Sequence, residues 1–392
     1  MARLTMQRST SFLMVILLCL QLSACSTLEK NQALELQKQQ QLWADQDFIF
    51  VPNSLPNSDD LFRLSPSLER KLASMNRAGS TIQERANFLT SLLYTDQARP
   101  FLYEGYHTTT AHETWEKNRG DCLSLSILAY AIGKRLQLPI HIQDVPMPVQ
   151  FDRHGRVEYV NGHVNAIVLN PNLFLNTNEG HERGYMLIDF DPNQFSMRRG
   201  RILSEEDVLA LFYNNLGVES MLQGKHDLAY TYFKQAAMAA PLETSTYSNL
   251  AQLYLSRNLA DKAAATLEFA LSLENSNVLQ LRNLQALYHK LGRTQDALRL
   301  QERIARVQEQ DPYYWIGKGL HAAQNKQYTE AISYLERAQK YTSGFEEVHQ
   351  ALAKAYWQTG AFEKSRQQIR LLAAVNSSNP KLRYLKAHFA SN

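Results

Sequence analysis

The run YNNLGVESMLQGKHDLAYTYFKQAAMAAP, residues 213–241, sets the architecture of the second half of the chain. Tyr213, Leu216, Gly217, Gly224, Ala229, Phe233, Ala236 and Pro241 make a template, and a shift of 34 residues lands on Tyr247, Leu250, Ala251, Asn258, Ala263, Leu267, Ala270 and Asn275. Further shifts reach Leu281, Leu284, Tyr288, Gly292, Ala297 and Ile304, then Trp315, Gly319, Ala331, Leu335 and Ala338, then Leu352, Ala353, Tyr356, Gly360, Ile369 and Leu372. Small residues recur where paired helices come close and large ones fill the space between, so neighbouring copies bury one continuous core that no copy buries alone. The period predicts an all-α stack of five copies over residues 210–379. A C-terminal capping helix is expected in 380–392, with Leu382, Leu385 and Phe389 on one face.

This template resembles the tetratricopeptide repeat. The resemblance implies a solenoid whose groove takes a peptide or protein partner. Tyr247, Tyr254, Trp315 and Tyr356 occupy template places and read as core, so no ligand residue is named among them.

The first half is organised around residues 118–136, where Asn118, Arg119, Gly120 and Asp121 form a polar turn before a helix with Leu123, Ile127, Leu128, Ala131, Ile132 and Leu136 at helical spacing. Cys122 stands in the first turn. The unpaired N–H groups and the macrodipole there favour a thiolate and can receive an oxyanion. Upstream, helices are expected near 66–76, 80–95 and 109–117; Pro66 suits a first helical position and Ser80 can cap the second. Downstream, strands are expected at 139–145, 157–160, 163–169 and 185–189, with Asp152 to Gly155 as a hairpin turn and Asn170 to Gly184 as a long exposed loop. That order is an α+β unit, a helix bearing cysteine followed by a small antiparallel sheet, within residues 61–200.

Gly120-Asp121-Cys122 opening a helix, Gly162-His163-Val164-Asn165 on a strand, and Leu187-Ile188-Asp189-Phe190-Asp191-Pro192 closing another resemble the transglutaminase-like, papain-related core. The resemblance implies a catalytic Cys-His-Asp triad: Cys122 as nucleophile, His163 as base and then acid, Asp189 holding the imidazole tautomer. The family commonly shows Asp followed directly by Pro, which makes Asp191 the alternative; Asp189 is preferred because it ends the strand that begins at Tyr185. Attack on an amide carbonyl followed by water makes a peptidase or amidase, and attack by an amine in place of water makes a transferase. Both outcomes stay open. So does a catalytically inactive module serving as a repeat-based scaffold, in which Cys122 is a small buried hydrophobe.

At the N-terminus, Arg3 and Arg8 precede an apolar run from Phe12 to Leu20 and then Leu22-Ser23-Ala24-Cys25. This resembles a bacterial lipoprotein signal peptide, residues 1–24, and implies lipidation of Cys25. Membrane attachment through that anchor follows, with Ser26 pointing to the periplasmic side of the outer membrane. Residues 25–60, rich in Gln near the start, read as the lipidated cysteine and a polar tether. Loss of Arg3 and Arg8 takes the formal charge from +3 to +1, too small to favour nucleic acid. Of the three cysteines, Cys19 leaves with the signal and Cys25 is lipidated, so Cys122 is the free thiol of the mature chain. Neither a cofactor nor a metal is expected, because no Cys or His pair has ligand spacing.

Overall fold

The computed structural model describes residues 37–51, 55–73, 80–95, 101–105, 107–145, 151–154, 157–160, 163–177, 180–190, 200–341, 345–375, 379 and 381–389. The expected signal peptide, Cys25 and Asp191 lie outside these residues.

Three short helices open the α+β part: α1 (Ser58–Phe62), α2 (Pro66–Ala73) and α3 (Ile82–Thr90), the last running on as a π-helical turn over Ser91–Thr95. Thr81, one residue beyond the expected Ser80, is the N-cap of α3, in a capping box with Glu84. The chain then forms β1 (Leu102–Tyr103), α4 (Ala111–Lys117), β2 (Arg119–Gly120) and α5 (Cys122–Arg135). The strands that follow are β3 (Ile140–Val145), β4 (Phe151–His154), β5 (Val157–Val160), β6 (His163–Thr177), β7 (Gly180–Ile188) and β8 (Arg201–Ile202). The main sheet has the order β7-β6-β3-β8 with antiparallel pairing throughout. Leu123, Ile127, Leu128 and Ile132 of α5 share a core with Ile140, Ile142, Val164, Ala166, Val168 and Ile188 of the sheet.

Two local expectations are corrected. Asn170 to Gly184 is not a free loop: β6 and β7 stay paired from Asn170↔Gly184 to Thr177↔Gly180 with one register shift. Asp152, Arg153 and His154 lie in β4, paired with β5, so they are strand and not turn, while Gly155 lies outside the described residues. Cross-strand pairing supplies backbone partners that composition alone cannot reveal, and it overrides the loop-like Asn, Gly and Glu content.

From Glu205 the chain is helical: α6 (Glu205–Leu222), α7 (His226–Ala239), α8 (Thr244–Ser256), α9 (Ala260–Leu273), α10 (Val278–Lys290), α11 (Thr294–Gln310), α12 (Pro312–Gln324), α13 (Tyr328–Gln339), α14 (Glu346–Gln358), α15 (Phe362–Val375) and α16 (Leu382–Phe389). Consecutive pairs are the repeats. The first and fourth show the reason for glycine in the template: a Cβ on Gly217 sits 2.5 Å from the Phe233 ring, and one on Gly319 sits 2.5 Å from Leu335 Cγ. Gly317 has nothing within 4 Å of such a Cβ. Gly217→Ala is therefore expected to destabilise the protein by about 2 kcal/mol through overpacking. Gly317→Ala is expected to stabilise its helix by up to about 1 kcal/mol. Urea denaturation distinguishes the two signs.

The expected polar tether is also corrected, because residues 37–51 are packed on the first two repeats. Leu42 joins Ala237, Tyr247, Phe269 and Ala270 in one cluster, while Ala44 and Phe48 join Tyr230 and Tyr254 in another. The Phe48 ring stacks on Tyr230 at 4.5 Å, and Tyr254 donates its hydroxyl to the Leu42 carbonyl at 2.9 Å. Gln39 donates to the Ala237 carbonyl at 2.8 Å, and Lys262 donates to the carbonyls of Gln41 and Trp43. Three apolar anchors in an otherwise polar stretch escape any averaging of composition. The first repeat is also continuous with the α+β core, since Val208, Phe212 and Tyr213 pack into the cluster that holds α5.

Candidate active site

The turn before Cys122 is held from several sides. Asn118 adopts the left-handed conformation with φ 52°, which ends α4 and turns the chain into β2. The amides of Leu102 on β1 and of Glu104 just after it donate to the carbonyls of Asn118 and Gly120, each at 3.0 Å. A Cβ on Gly120 sits 2.6 Å from Ser124 Cβ, so only glycine passes this close to α5 without displacing it. Asp121 is the N-cap: its Oδ1 accepts the Ser124 amide at 2.7 Å and the Ser124 hydroxyl at 2.6 Å. Ser124 Oγ in turn accepts the Thr109 amide at 2.8 Å.

Packing of α5 on the start of β6 brings the expected histidine to this turn, with Ser126 Oγ donating to the Val164 carbonyl at 3.4 Å. His163, the first residue of β6, is 5% exposed. Its Nε2 lies 2.8 Å from Asp189 Oδ2, just past the end of β7. Register explains the approach: Ala166 pairs with Ile188, so Asp189 follows directly beyond the paired ladder near His163. The same carboxylate oxygen accepts from Asn165 Nδ2 at 3.1 Å, and Asn165 Oδ1 accepts from Gln143 Nε2 at 2.9 Å. Gln143 Oε1 accepts the Gly200 amide at 3.1 Å, which completes a buried polar chain across β3, β6 and the end of β7. Tyr94 donates its hydroxyl to the Asp189 carbonyl at 3.0 Å, and its ring stacks on Phe190.

Two further residues, Asn165 and Gln143, join His163 and Asp189 in this chain of hydrogen bonds. Asn165 lies in the motif around His163, and its two-residue spacing from His163 puts both on one face of β6. Gln143 carried no signal, because it depends on the pairing Gln143↔Asn165 between β3 and β6.

Cys122 is the first residue of α5 and is half-buried. Burial pushes its thiol up to about 12, and the Asp121 carboxylate adds to the rise. The backbone N–H groups of Val164 and Leu123 pull it back, and Asp189 raises it again. Burial thus works against the thiolate that the helix start favours. The helix terminus is capped by a carboxylate, which offsets the dipole at the sulfur, and loss of hydration outweighs the remaining N–H donors. The Val164 interaction also sets the sulfur beside the backbone of the residue that follows His163. Among the described residues no cluster of three or more His, Cys, Asp or Glu is placed to hold a metal ion.

Two overlapping segments, residues 287–344 and 322–389, each match a family model described as tetratricopeptide repeat. The C-terminal region thus contains tetratricopeptide repeats. Similar solved structures include the MamA protein, at 18% identity over 45% of this chain and 95% of that one, with TM-score 0.24. Another comes from work on pilF of Pseudomonas aeruginosa, at 18% identity over 48% of this chain and 85% of that one, TM-score 0.27. A third is YrrB, a TPR protein with an unusual peptide-binding site, at 17% identity over 47% and 94%, TM-score 0.25. At such scores these likenesses carry no weight for function. None of the curated proteins matches the chain.

Proposed function

We propose that residues 61–200 are a transglutaminase-like thiol acyl-transfer domain and that the repeats at 210–379, capped by 380–392, recruit its peptide or protein substrate. The single observation that carries this reading is the 2.8 Å hydrogen bond between His163 Nε2 and Asp189, beside the sulfur that the Val164 amide reaches. Asp189 fixes the ring through Nε2, which leaves Nδ1 as the nitrogen to take the thiol proton. Because the resting thiol is protonated, His163 removes that proton as the sulfur attacks. The amide C–N bond breaks, a C–S bond forms, and the imidazolium returns its proton to the leaving amine. Water then yields the acid, or a second amine yields a new amide, with the thiol regenerated. Residues 1–24 and Cys25 support a lipid-anchored place in a bacterial envelope, on the periplasmic side of the outer membrane, by the signal-like sequence alone.

A second reading is favoured by the raised thiol: an inactive module that serves the repeat scaffold as a docking part. Alkylation of Cys122 by iodoacetamide, followed by mass spectrometry of its peptide, separates the two. With His163 acting as base, His163→Ala is expected to slow labelling near neutral pH by about a hundredfold. Equal, slow labelling of both proteins, climbing about tenfold per pH unit as thiolate forms, overturns the enzyme reading.

A further inference from the structure

The first repeat reaches the turn that carries Cys122 through a short set of polar contacts. Thr108 lies between them. Its backbone N–H donates to Glu219 Oε1 at 2.6 Å, and its hydroxyl donates to Asp121 Oδ2 at 2.5 Å. Asn215 Nδ2 donates to Thr108 Oγ1 at 3.2 Å and to Asp121 Oδ2 at 3.4 Å. Asn215 and Glu219 are one turn apart on α6, the first helix of the repeats, and Asp121 is the N-cap of the helix that begins at Cys122. We infer that Asn215 and Glu219 are positioning residues for Cys122, by which the repeat solenoid holds the nucleophile's turn through Thr108 and Asp121. The inference rests on Cys122 being the reactive group proposed above.

The chemistry of the contact goes beyond packing. Two carboxylates, Glu219 and Asp121, flank one threonine, an arrangement that a glutamine at 219 would make without like-charge repulsion. Burial pushes Glu219 up to about 7, the Thr108 amide pulls it back, and Asp121 raises it further. Tyr232 on α7, whose hydroxyl is raised by burial and by Glu219, is a further titratable group at this contact, and His107 precedes Thr108 in the chain. His107 Nε2 is buried without a hydrogen-bond partner. The folded state favours the protonated carboxyl, so stability from this group is present below its ordinary value of 4.5 and is lost as pH rises through about 7. The ionised form, which costs stability, is also the stronger acceptor for the Thr108 N–H. Stability and hold on the turn therefore pull in opposite directions at this residue.

The test compares the full-length chain with Glu219→Gln, reading both the thermal midpoint and the iodoacetamide labelling rate of the Cys122 peptide across pH. Glutamine keeps the acceptor and mimics the protonated acid. At about pH 8 the variant is expected to melt higher yet label about tenfold more slowly, the order of one charge-assisted hydrogen bond. At about pH 5 both differences are expected to vanish, since Glu219 is then neutral as well. Asn215→Ala is expected to slow labelling about threefold throughout, as loss of a neutral hydrogen bond does. A labelling ratio of one at all pH, or a ratio that does not change with pH, overturns the inference. Failure of the proposed function gives a different pattern: His163→Ala then labels like the unmodified chain, whatever Glu219→Gln does.

Discussion

Cys122→Ala is expected to remove acyl transfer altogether, and Asp189→Asn to lower it by about 10³ to 10⁴, with the fold of both variants intact. The difference follows from what each group does. Without the sulfur no thioester forms, whereas without the Asp189 charge the imidazole remains in place with its tautomer no longer enforced. Asn165 donates to the same carboxylate oxygen as His163, so an amide at position 189 serves both donors only with its oxygen in that place, and it then accepts without the charge that stabilises the imidazolium. The measurement is hydroxamate formation from a mixture of peptide amides with hydroxylamine as acceptor, together with intact-mass detection of an acyl adduct on Cys122. Undiminished hydroxamate from Cys122→Ala would sink the proposed mechanism. Full activity in Asp189→Asn would remove Asp189 from it and turn attention to Asp191.

Tyr230→Ala is expected to destabilise the protein by about 4 kcal/mol and to release residues 42–51. Tyr230 is fully buried, its ring stacks on Phe48, its hydroxyl donates to Asp45 Oδ1 at 2.8 Å, and the Ala44 amide donates back to it at 3.0 Å. Truncation leaves a cavity under Phe48 and strips partners from two polar groups at once. Tyr230→Phe separates these effects, since it keeps the ring and is expected to cost about 1 to 2 kcal/mol. Urea midpoints give the energies, and amide exchange of residues 42–51 reports the release. Unchanged exchange in Tyr230→Ala would show that the segment is held by Lys262, Gln39 and the 2.6 Å ion pair of Lys234 with Asp45 without the aromatic stack.

Much of the architecture was legible in local pattern. Helical spacing around Leu123, Ile127, Leu128 and Ile132 placed α5, and the turn chemistry of Gly120 and Asp121 placed its start. The period of 34 carried Gly217 to Ala251 and Phe233 to Leu267, and the structure pairs helices on that repeat. Such features depend on neighbours within a few turns, or on identical units stacked in series, so one-dimensional spacing records them. The preference for Asp189 rests on counting along the strand from Tyr185, and the structure sets Asp189 beside His163, whereas Asp191 lies outside the described residues.

Other features depend on which distant segments meet, and no local pattern carries that information. The docking of residues 37–51 on the repeats rests on three apolar side chains in a polar stretch. The Gln143 and Asn165 link needs the register between β3 and β6. The contact of Glu219 with Thr108 needs the solenoid to share a core with the α+β part. The environment of the Cys122 thiol belongs here as well: helix position favours a thiolate, whereas burial and the Asp121 charge push the thiol the other way. Periodicity is a property of the chain and survives in its sequence. Desolvation and pairing between remote segments are properties of the assembled volume, and they exist only after the chain has closed on itself.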